Sequence, residues 1–519
     1  MPASYLFFTH RTQAAIFIFT YPNALPLYYL FQYFSSTGWP AYVKIISIVL
    51  MILTTIGIAG SIVLENRNPI KALAYILLLV YLPIAGMIVY YYLGRDLKKK
   101  KLFTLKGSKD EALYAGFWEL QRSRIEQRQI ALRLLEGEKQ EVSAMLLNTR
   151  QSMVTKHNRV QLLINGERKI PVVLEALKAA THHIHIEYYM ITNDSVGQAV
   201  TDVLLEKLKE GIEVRVIYDD LGSSRIGDIP KRLRAAGAEV YAFSPVLINF
   251  YLNANYRDHR KVIVIDGKVG FIGGINLDER YVNNGKHTTY WRDTHLKIEG
   301  ESMNLLQLQF LLSYRYCSKK TFHLGDPYFG MPHHVTHTCF TDIVTSGPDS
   351  EWPAVLQSML MALQVARRRI RITNPYLIPN DQLMTALQIA ALAGKQVEIL
   401  IPARGDSFFV QHATYSFLKP LMEAGVVIYF YEQGFIHAKT MVIDDNLAWV
   451  GSANLDNRSF FLNFEIACLL YDKDLAQQLN DTFEDDLKYA TLVSGERFYN
   501  RTIWKRFIDG CCRLLAPLL

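Results

Sequence analysis

Two strings of the sequence hold residue types that can do chemistry together: HRKVIVIDGKVGFIGGIN, from His259, and HAKTMVIDDNLAWVGSAN, from His437. Each opens on His-x-Lys, crosses an apolar run to an Asp, and closes on two small residues, a spacer and an Asn. Residues two apart on a strand share a face. His259 therefore projects with Lys261 and His437 with Lys439, while Val262, Val264 and Val442 turn toward a core. A two-residue turn at Gly267-Lys268 would fold the strand back and set Asn276 opposite His259. The same construction sets Asn454 opposite His437. Lysine offers a positive charge and the Asn amide offers donors to an oxyanion. Histidine serves as nucleophile or as general acid/base near neutral pH. In-line displacement at phosphorus needs catalysts on opposite faces, and two facing copies supply two histidines. The pattern thus predicts a phosphodiester site between the copies, working without metal or cofactor. One histidine would be neutral and attack phosphorus. The other would be protonated, release the leaving alkoxide, and then act as base toward the incoming alcohol. Each imidazole needs a carboxylate to fix its tautomer. Asp293 in YWRDTHLKIEG and Glu465 in NRSFFLNFE, each downstream of the histidine in its own copy, are the candidates.

The elements that must position these residues are also duplicated. Beyond Asn158 the chain alternates strand-like and helix-like segments, as in HHIHIEYYMI, VTDVLLEKLKEG and IEVRVIYDD, which marks an α/β fold. ARRRIRITNPYLIP, LMTALQIAALAGK and QVEILIPAR repeat the order over 366–404. The first repeat is expected over 158–325 and the second over 326–519. The connector GDPYFGMPHHVTHT carries His333, His334 and His337, with Cys339 just after. Their spacing matches no standard zinc pattern, so no metal site is expected. The five cysteines show no CxxC pairing, which favours a reducing compartment.

The N-terminal part reads differently. Residues 45–64 (IISIVLMILTTIGIAGSIVL) and 72–93 (ALAYILLLVYLPIAGMIVYYYL) are uncharged throughout. About 20 apolar residues of helix span a bilayer core, so the two are expected to form a transmembrane hairpin. Residues 1–44, interrupted by Pro22, Asn23 and Pro26, read as an interfacial segment or an extension rather than a third span. Arg95, Lys98, Lys99, Lys100, Lys101 and Lys106 follow the hairpin, and the positive-inside rule puts this flank and all that follows in the cytoplasm. Residues 94–157 then read as a basic flank and helical linker. The net charge of +7 suits an anionic partner. The closing WKRFIDGCCRLLAPLL mixes basic and apolar positions, as an interfacial segment would.

The two strings resemble the duplicated HKD motifs of the phospholipase D superfamily, His259/Lys261/Asp266 and His437/Lys439/Asp444, trailed by Asn276 and Asn454. The resemblance implies two phospholipase D-like α/β/α sandwich repeats forming a pseudo-dimer. It makes His259 the nucleophile, His437 the acid/base, and Asn276 and Asn454 phosphate contacts. It groups Asp266 and Asp444 with the catalytic set, although their place beside the hairpin turns also suits a structural role. Ser452 joins the phosphate contacts. The first copy has Gly274 there, so its contacts would rest on backbone N–H groups. ENRNPIKALAYILLLVYLPIAG, HIHIEYYMITND, RVIYDDLGSS, YWRDTHLKIEG and the terminal LLAPLL are similar to bacterial cardiolipin synthases over nearly all the chain after residue 45. That similarity implies an inner-membrane enzyme moving a phosphatidyl group between two phosphatidylglycerols, giving cardiolipin and glycerol. Its partners would be anionic phospholipids and the bacterial membrane, not nucleic acid. The motifs leave the acceptor and donor open. A phospholipase D releasing phosphatidic acid and a synthase using phosphatidylethanolamine share the same residues. A nuclease of the superfamily fits the membrane hairpin and full-length duplication poorly.

Overall fold

A computed structural model of the chain describes residues 40–64, 69–90, 132–149, 152–245, 255–320, 322, 328–329, 335–495 and 501–517. The chain divides into two compact units, residues 1–102 and 103–519.

In the first unit, the helix Ala41–Leu64 is apolar on all sides, and it alone among the described helices is long and apolar enough to cross a membrane. The expected second span starts earlier, at Pro69, and is interrupted: Pro69–Tyr81 and Pro83–Val89 are separate helices with Leu82 at φ −134°, ψ 70° between them. The Pro83 ring disfavours helical backbone at the residue before it. Residues 91–93 lie outside the described residues. Ile62, Leu79 and Tyr90 pack the helices together, while Ile45, Leu53, Ile56, Leu73 and Ile84 point outward, as lipid-facing side chains would.

The second unit holds two sheets. The first consists of β1 (Asn158–Ile164), β2 (His183–Tyr188), β3 (Glu213–Asp219), β4 (Glu239–Phe243), β5 (Lys261–Ile265), β6 (Val269–Gly273) and β8 (Thr294–Gly300), with the short β7 (Tyr290–Arg292) outside it. The second consists of β9 (Thr341–Ser346), β10 (Arg369–Thr373), β11 (Gln396–Pro402), β12 (Val427–Tyr431), β14 (Thr440–Ile443), β15 (Leu447–Gly451), β16 (Glu465–Leu470) and β17 (Ala490–Leu492), with β13 (Gly434–Ile436) outside it. The strand orders are β1-β8-β6-β5-β2-β3-β4 and β9-β16-β15-β14-β10-β11-β12-β17. Apart from the added β17 they are the same order, so the duplication in sequence is a duplication in topology. The β2–β3–β4 and β10–β11–β12 ladders are parallel, and crossover helices such as Ser195–Lys209 and Asp381–Leu392 join them.

Val262, Val264, Ile272, Leu296 and Ile298 of one sheet and Val442, Ala448, Val450, Ile466 and Cys468 of the other form one core where the repeats meet. Helices from each repeat cover its own core. The segment expected as linker contributes too: the helix Glu138–Asn148 seats Val142 and Leu146 in the second repeat's core.

The motif hairpins turn one residue earlier than expected. Asp266 and Gly267 take left-handed backbone (φ 54° and 63°), as do Asp444 and Asp445 (φ 48° and 60°). Lys268 N–H donates to Ile265 O at 2.9 Å and Asn446 N–H to Ile443 O at 3.1 Å, the mark of a type I′ turn. The strands then pair as Ile265↔Val269 and Ile443↔Leu447, leaving three residues in each loop. This moves Asn276 and Asn454 one residue out of the expected pairing with the histidines. Asp266 accepts N–H bonds from Thr181, His182 and His183 at 2.8, 2.8 and 2.9 Å. Asp444 accepts them from Arg367, Arg368 and Arg369, the last two at 2.8 Å. Each aspartate thus ties its turn to the backbone entering the neighbouring central strand. Asp444→Ala strands three N–H groups and puts a β-carbon without a polar tip at positive φ. It is expected to cost about 2 kcal/mol of stability, read as a lower thermal midpoint of the purified protein.

Candidate active site

The backbone approaching each motif is paired with the other repeat. Asp258 bridges to Phe464. Phe464 N–H donates to Arg257 O at 2.8 Å and His259 N–H to Phe464 O at 2.9 Å. In the mirror arrangement β13 runs parallel to β7, with Ile436 opposite Arg292, and His437 N–H donates to Arg292 O at 2.7 Å. The residue after Phe464 is Glu465 and the residue after Arg292 is Asp293. The exchange therefore hands each histidine the carboxylate of the other repeat. His259 Nδ1 lies 2.9 and 3.1 Å from the two Glu465 oxygens, and His437 Nδ1 lies 2.7 Å from Asp293 Oδ2. Both expected carboxylates are in place, but the expected pairing within each copy is crossed. Sequence distance carries no information about a strand exchanged between repeats.

All four groups are buried: the carboxylates fully, the histidines to 8 % exposure. Lys261 and Lys439 are buried beside them, each Nζ donating to the carbonyl of its own histidine, His259 or His437, at 2.5 Å. Burial lowers both lysines, Lys261 to about 7 and Lys439 to about 8, against the pull of Asp293 and Glu465. Burial also lowers both imidazoles, and the carboxylates only partly offset it. Each imidazole also feels the lysine of the opposite repeat. The two motifs therefore share one electrostatic site, with neutral histidines. A carboxylate at Nδ1 holds the proton there and leaves Nε2 with a lone pair.

Two residues expected at the phosphate serve the carboxylates instead. The Ser452 hydroxyl donates to Glu465 and accepts from Ile466 N–H at 3.0 Å. Gly274 N–H donates to Thr294 O at 3.0 Å, so it is not free for an oxyanion. A β-carbon on Gly274 would meet Asp293 Oδ1 at 2.2 Å. The shorter Asp293 draws its carboxylate against the strand, where Ser452 stands in the second copy, and only glycine leaves that room. Asp266 and Asp444 lie at the far ends of β5 and β14 from the histidines, anchoring turns. Asn276 Nδ2 donates to the Tyr281 hydroxyl at 2.9 Å, which itself lies 3.4 Å from His437 Nδ1. Asn276 thus reaches the second repeat's histidine. Asn276 and Asn454 are both buried, and the side-chain oxygen of each has no hydrogen-bond partner among the described residues.

Several contributors were not found from the sequence. Tyr189 meets His259 edge-on at 4.8 Å between ring centres, and Trp291 lies 5.6 Å from His437. Asn463 donates to Glu465 at 3.2 Å, a partner that the two-residue spacing on a strand could have suggested. Asn165, in left-handed backbone, clamps Asp293: its N–H donates to Asp293 O at 2.9 Å and its side chain accepts Asp293 N–H at 3.0 Å. Arg257 is ion-paired to buried Asp219 at 2.9 Å, and Asp219 also accepts Asp258 N–H at 2.9 Å, fixing the approach to His259. Of the connector residues, His337 lies 3.2 Å from Asn158 O and Cys339 is in the core between the sheets. His333 and His334 lie outside the described residues.

Two repeated α/β halves closing over crossed histidine–carboxylate pairs define a phospholipase D-like enzyme. The crystal structure of phosphatidylserine synthase from Haemophilus influenzae Rd KW20 shares the fold, with a TM-score of 0.56 over 74% of this chain and 100% of that one at 15% identity. The family described as "Cardiolipin synthase, PLD-like domain" matches at residues 173–298 and 359–487, once in each repeat. The chain is 39% identical to the cardiolipin synthase of Geobacillus sp. (strain WCH70) over 476 residues, 91% of this chain and 93% of the relative. It is 35% identical to that of Halalkalibacterium halodurans over 491 residues, 94% and 96% of the two chains. It is 36% identical to cardiolipin synthase 2 of Bacillus cereus over 465 residues, 88% of each. The chain belongs to the cardiolipin synthase family and is a phosphatidyltransferase.

Gly274→Ala is expected to lower turnover about 100-fold by pushing Asp293 off His437. Ser452→Ala, which deletes one bond and adds no atom, should lose less. Initial rates of the two purified variants provide the check, and equal losses would contradict the steric account.

Proposed function

We propose that the protein makes cardiolipin from two phosphatidylglycerols through a phosphohistidine. The crossed pairs carry this reading, since they give two imidazoles, each with a free Nε2, on one site with two buried ammonium groups. His259 Nε2 attacks the phosphorus of the first lipid, forming a P–N bond as the P–O bond to glycerol breaks. The His437 imidazolium gives its Nε2 proton to the departing glycerol oxygen. Neutral His437 then takes the proton of a hydroxyl on the second lipid. That oxygen attacks phosphorus, the P–N bond breaks, and His259 is restored. Lys261, Lys439, Asn276 and Asn454 are assigned to the phosphoryl oxygens. The likeness to curated cardiolipin synthases supports this chemistry. The basic flank Arg95–Lys101 after the apolar helices supports a catalytic body on the cytoplasmic face of the membrane.

The electrostatics demand one further event. Around the imidazoles Lys261 and Lys439 offset Asp293 and Glu465, and burial holds both imidazoles below their ordinary value. A phosphodiester anion favours the charged form of a nearby imidazole, so His437 gains its proton together with the substrate.

Purified full-length protein in detergent with labelled phosphatidylglycerol should yield cardiolipin and free glycerol. Phosphatidic acid alone would overturn the proposal in favour of hydrolysis, and product formed only when phosphatidylethanolamine is added would reassign the donor. His259→Ala and His437→Ala should each lower turnover by roughly 1,000-fold or more. Only the His437 variant should accumulate a phosphatidyl-enzyme, trapped by acid quench.

The pH profile follows from the same groups. The free imidazoles titrate below their ordinary value and are neutral above pH 5, so each productive encounter consumes one proton. kcat/KM should therefore fall about tenfold per pH unit from 5 to 7. It should fall more steeply above pH 7–8, where Lys261 and Lys439 lose their charge. A flat profile from pH 5 to 7 would mean that the acid is already protonated in the free enzyme.

A further inference from the structure

The helix Ile503–Arg513 presents its apolar side to the outside. Its inward side holds Asp509 and Cys512, followed by Ala516, and the two apolar residues pack on Ile378, Ala413 and Phe417. Asp509 is bound by His412 Nδ1 at 2.7 Å and by the Arg501 guanidinium at 2.9 Å. The outward side carries Ile503, Trp504, Phe507 and Leu514, which are 77, 73, 62 and 80 % exposed, with exposed Cys511 among them. At 100° per residue these five share one stripe. A surface helix of a soluble body places such residues inward; here a polar anchor occupies the inward position. Arg506 flanks the stripe and Lys505 lies in the first turn toward the other side of the helix; both are exposed. The neighbouring helix Phe408–Glu423 begins with Phe408 and Phe409, also more than half exposed, and the Phe408 ring lies 4.3 Å from that of His412.

This surface adjoins the catalytic site. Asp406, two residues before Phe408, accepts the Tyr376 hydroxyl at 2.6 Å and contributes to the field at Lys439. Asn457, three residues after Asn454, donates to Ala516 O at 3.1 Å.

We infer that this helix, with Phe408 and Phe409, docks in the headgroup–acyl boundary of an anionic bilayer and holds the catalytic site against the leaflet. The aromatic and aliphatic stripe matches the acyl boundary. Arg506, and Lys505 in the exposed first turn, match an anionic headgroup layer. The choice of a bilayer as occupant rests on the phospholipid-transfer reading above: a lipid that stays in its leaflet reaches this site only if the site comes to the leaflet.

Cys511 provides the probe. Full-length Cys317→Ser protein, with a nitroxide on Cys511, is reconstituted in vesicles of phosphatidylglycerol and phosphatidylcholine. The expected result is that oxygen, which partitions into lipid, collides with this nitroxide more often than a water-soluble nickel chelate does. A nitroxide on exposed Lys231→Cys should show the opposite order. Chelate collisions dominating at Cys511 would overturn the inference. So would low collision rates with both reagents, which would mean that another segment or a second copy covers the face. Independently, the double variant Trp504→Ser, Phe507→Ser should raise KM for phosphatidylglycerol at the vesicle surface about tenfold, a loss of roughly 1.4 kcal/mol, with kcat within twofold. A fall in kcat with KM unchanged would count against docking. Wild-type protein that inserts Cys511 yet forms no cardiolipin would defeat the transfer reading and leave the docking helix standing.

Discussion

Asp293 and Glu465 are fully buried carboxylates, and a charge taken out of water must find a partner or be neutralised. Neither repeat supplies the imidazole for its own. The imidazole that each carboxylate needs comes from the other half, as does the strand segment that aims it, β7 on β13 and Phe464 on Asp258. Removing one member of such a pair leaves an uncompensated buried charge, a loss of about 3–5 kcal/mol. The two halves are therefore bound by the same contacts that set the histidine tautomers. The core between the sheets, built from Val262, Val264, Val442 and Val450, supplies the apolar burial that keeps those contacts dry.

Pseudo-symmetry ends at the side chains behind the carboxylates. Glu465 reaches His259 with a longer arm, steadied by Ser452 and Asn463. Asp293 is one methylene shorter, takes Thr294 N–H at 2.7 Å, and is fixed through its backbone by Asn165. The Gly274/Ser452 difference follows from this. One repeat holds its carboxylate by side-chain donors and the other by backbone, and Asp293 leaves no room at Gly274 for the serine that the second repeat uses. Two chemically identical imidazoles thus sit in unlike surroundings, with Tyr189 at one and Tyr281 and Trp291 at the other. A reaction that asks one imidazole to attack and the other to protonate needs such a difference.

The paired His-x-Lys strings were legible because a strand has period two and a duplicated motif is hard to obtain by accident. The same periodicity placed Val262, Val264 and Val442 in the core. The partner exchange was not legible: Asp293 and Glu465 could be named as carboxylates, but the chain gives no local sign that β7 leaves its own sheet for β13. Ser452 and Gly274 were misassigned because a small polar residue near a phosphate site and a small residue behind a carboxylate look alike in one dimension. The one-residue error in hairpin register came from placing the turn at the glycine. Aspartate also tolerates left-handed backbone, and here Asp266 and Asp444 start the turn while capping a neighbouring backbone. In the membrane segment, composition gave an uninterrupted apolar run, yet Pro83 acts on Leu82 and splits the helix.

The phosphohistidine proposed here can pass its phosphatidyl group to a lipid alcohol or to water, and the residues that form it do not choose between them. The choice falls to whatever controls access. His259 and His437 are 8 % exposed, walled by aromatic rings and by the carboxylates that orient them, so the opening for an acceptor is narrow. An outward apolar helix beside that opening, seated in the leaflet, would present the site with acyl chains and headgroups at high local concentration while displacing bulk water. On this view the acceptor preference belongs to the placement of the site at the membrane rather than to any residue of the two motifs. The same two motifs could then serve either acceptor.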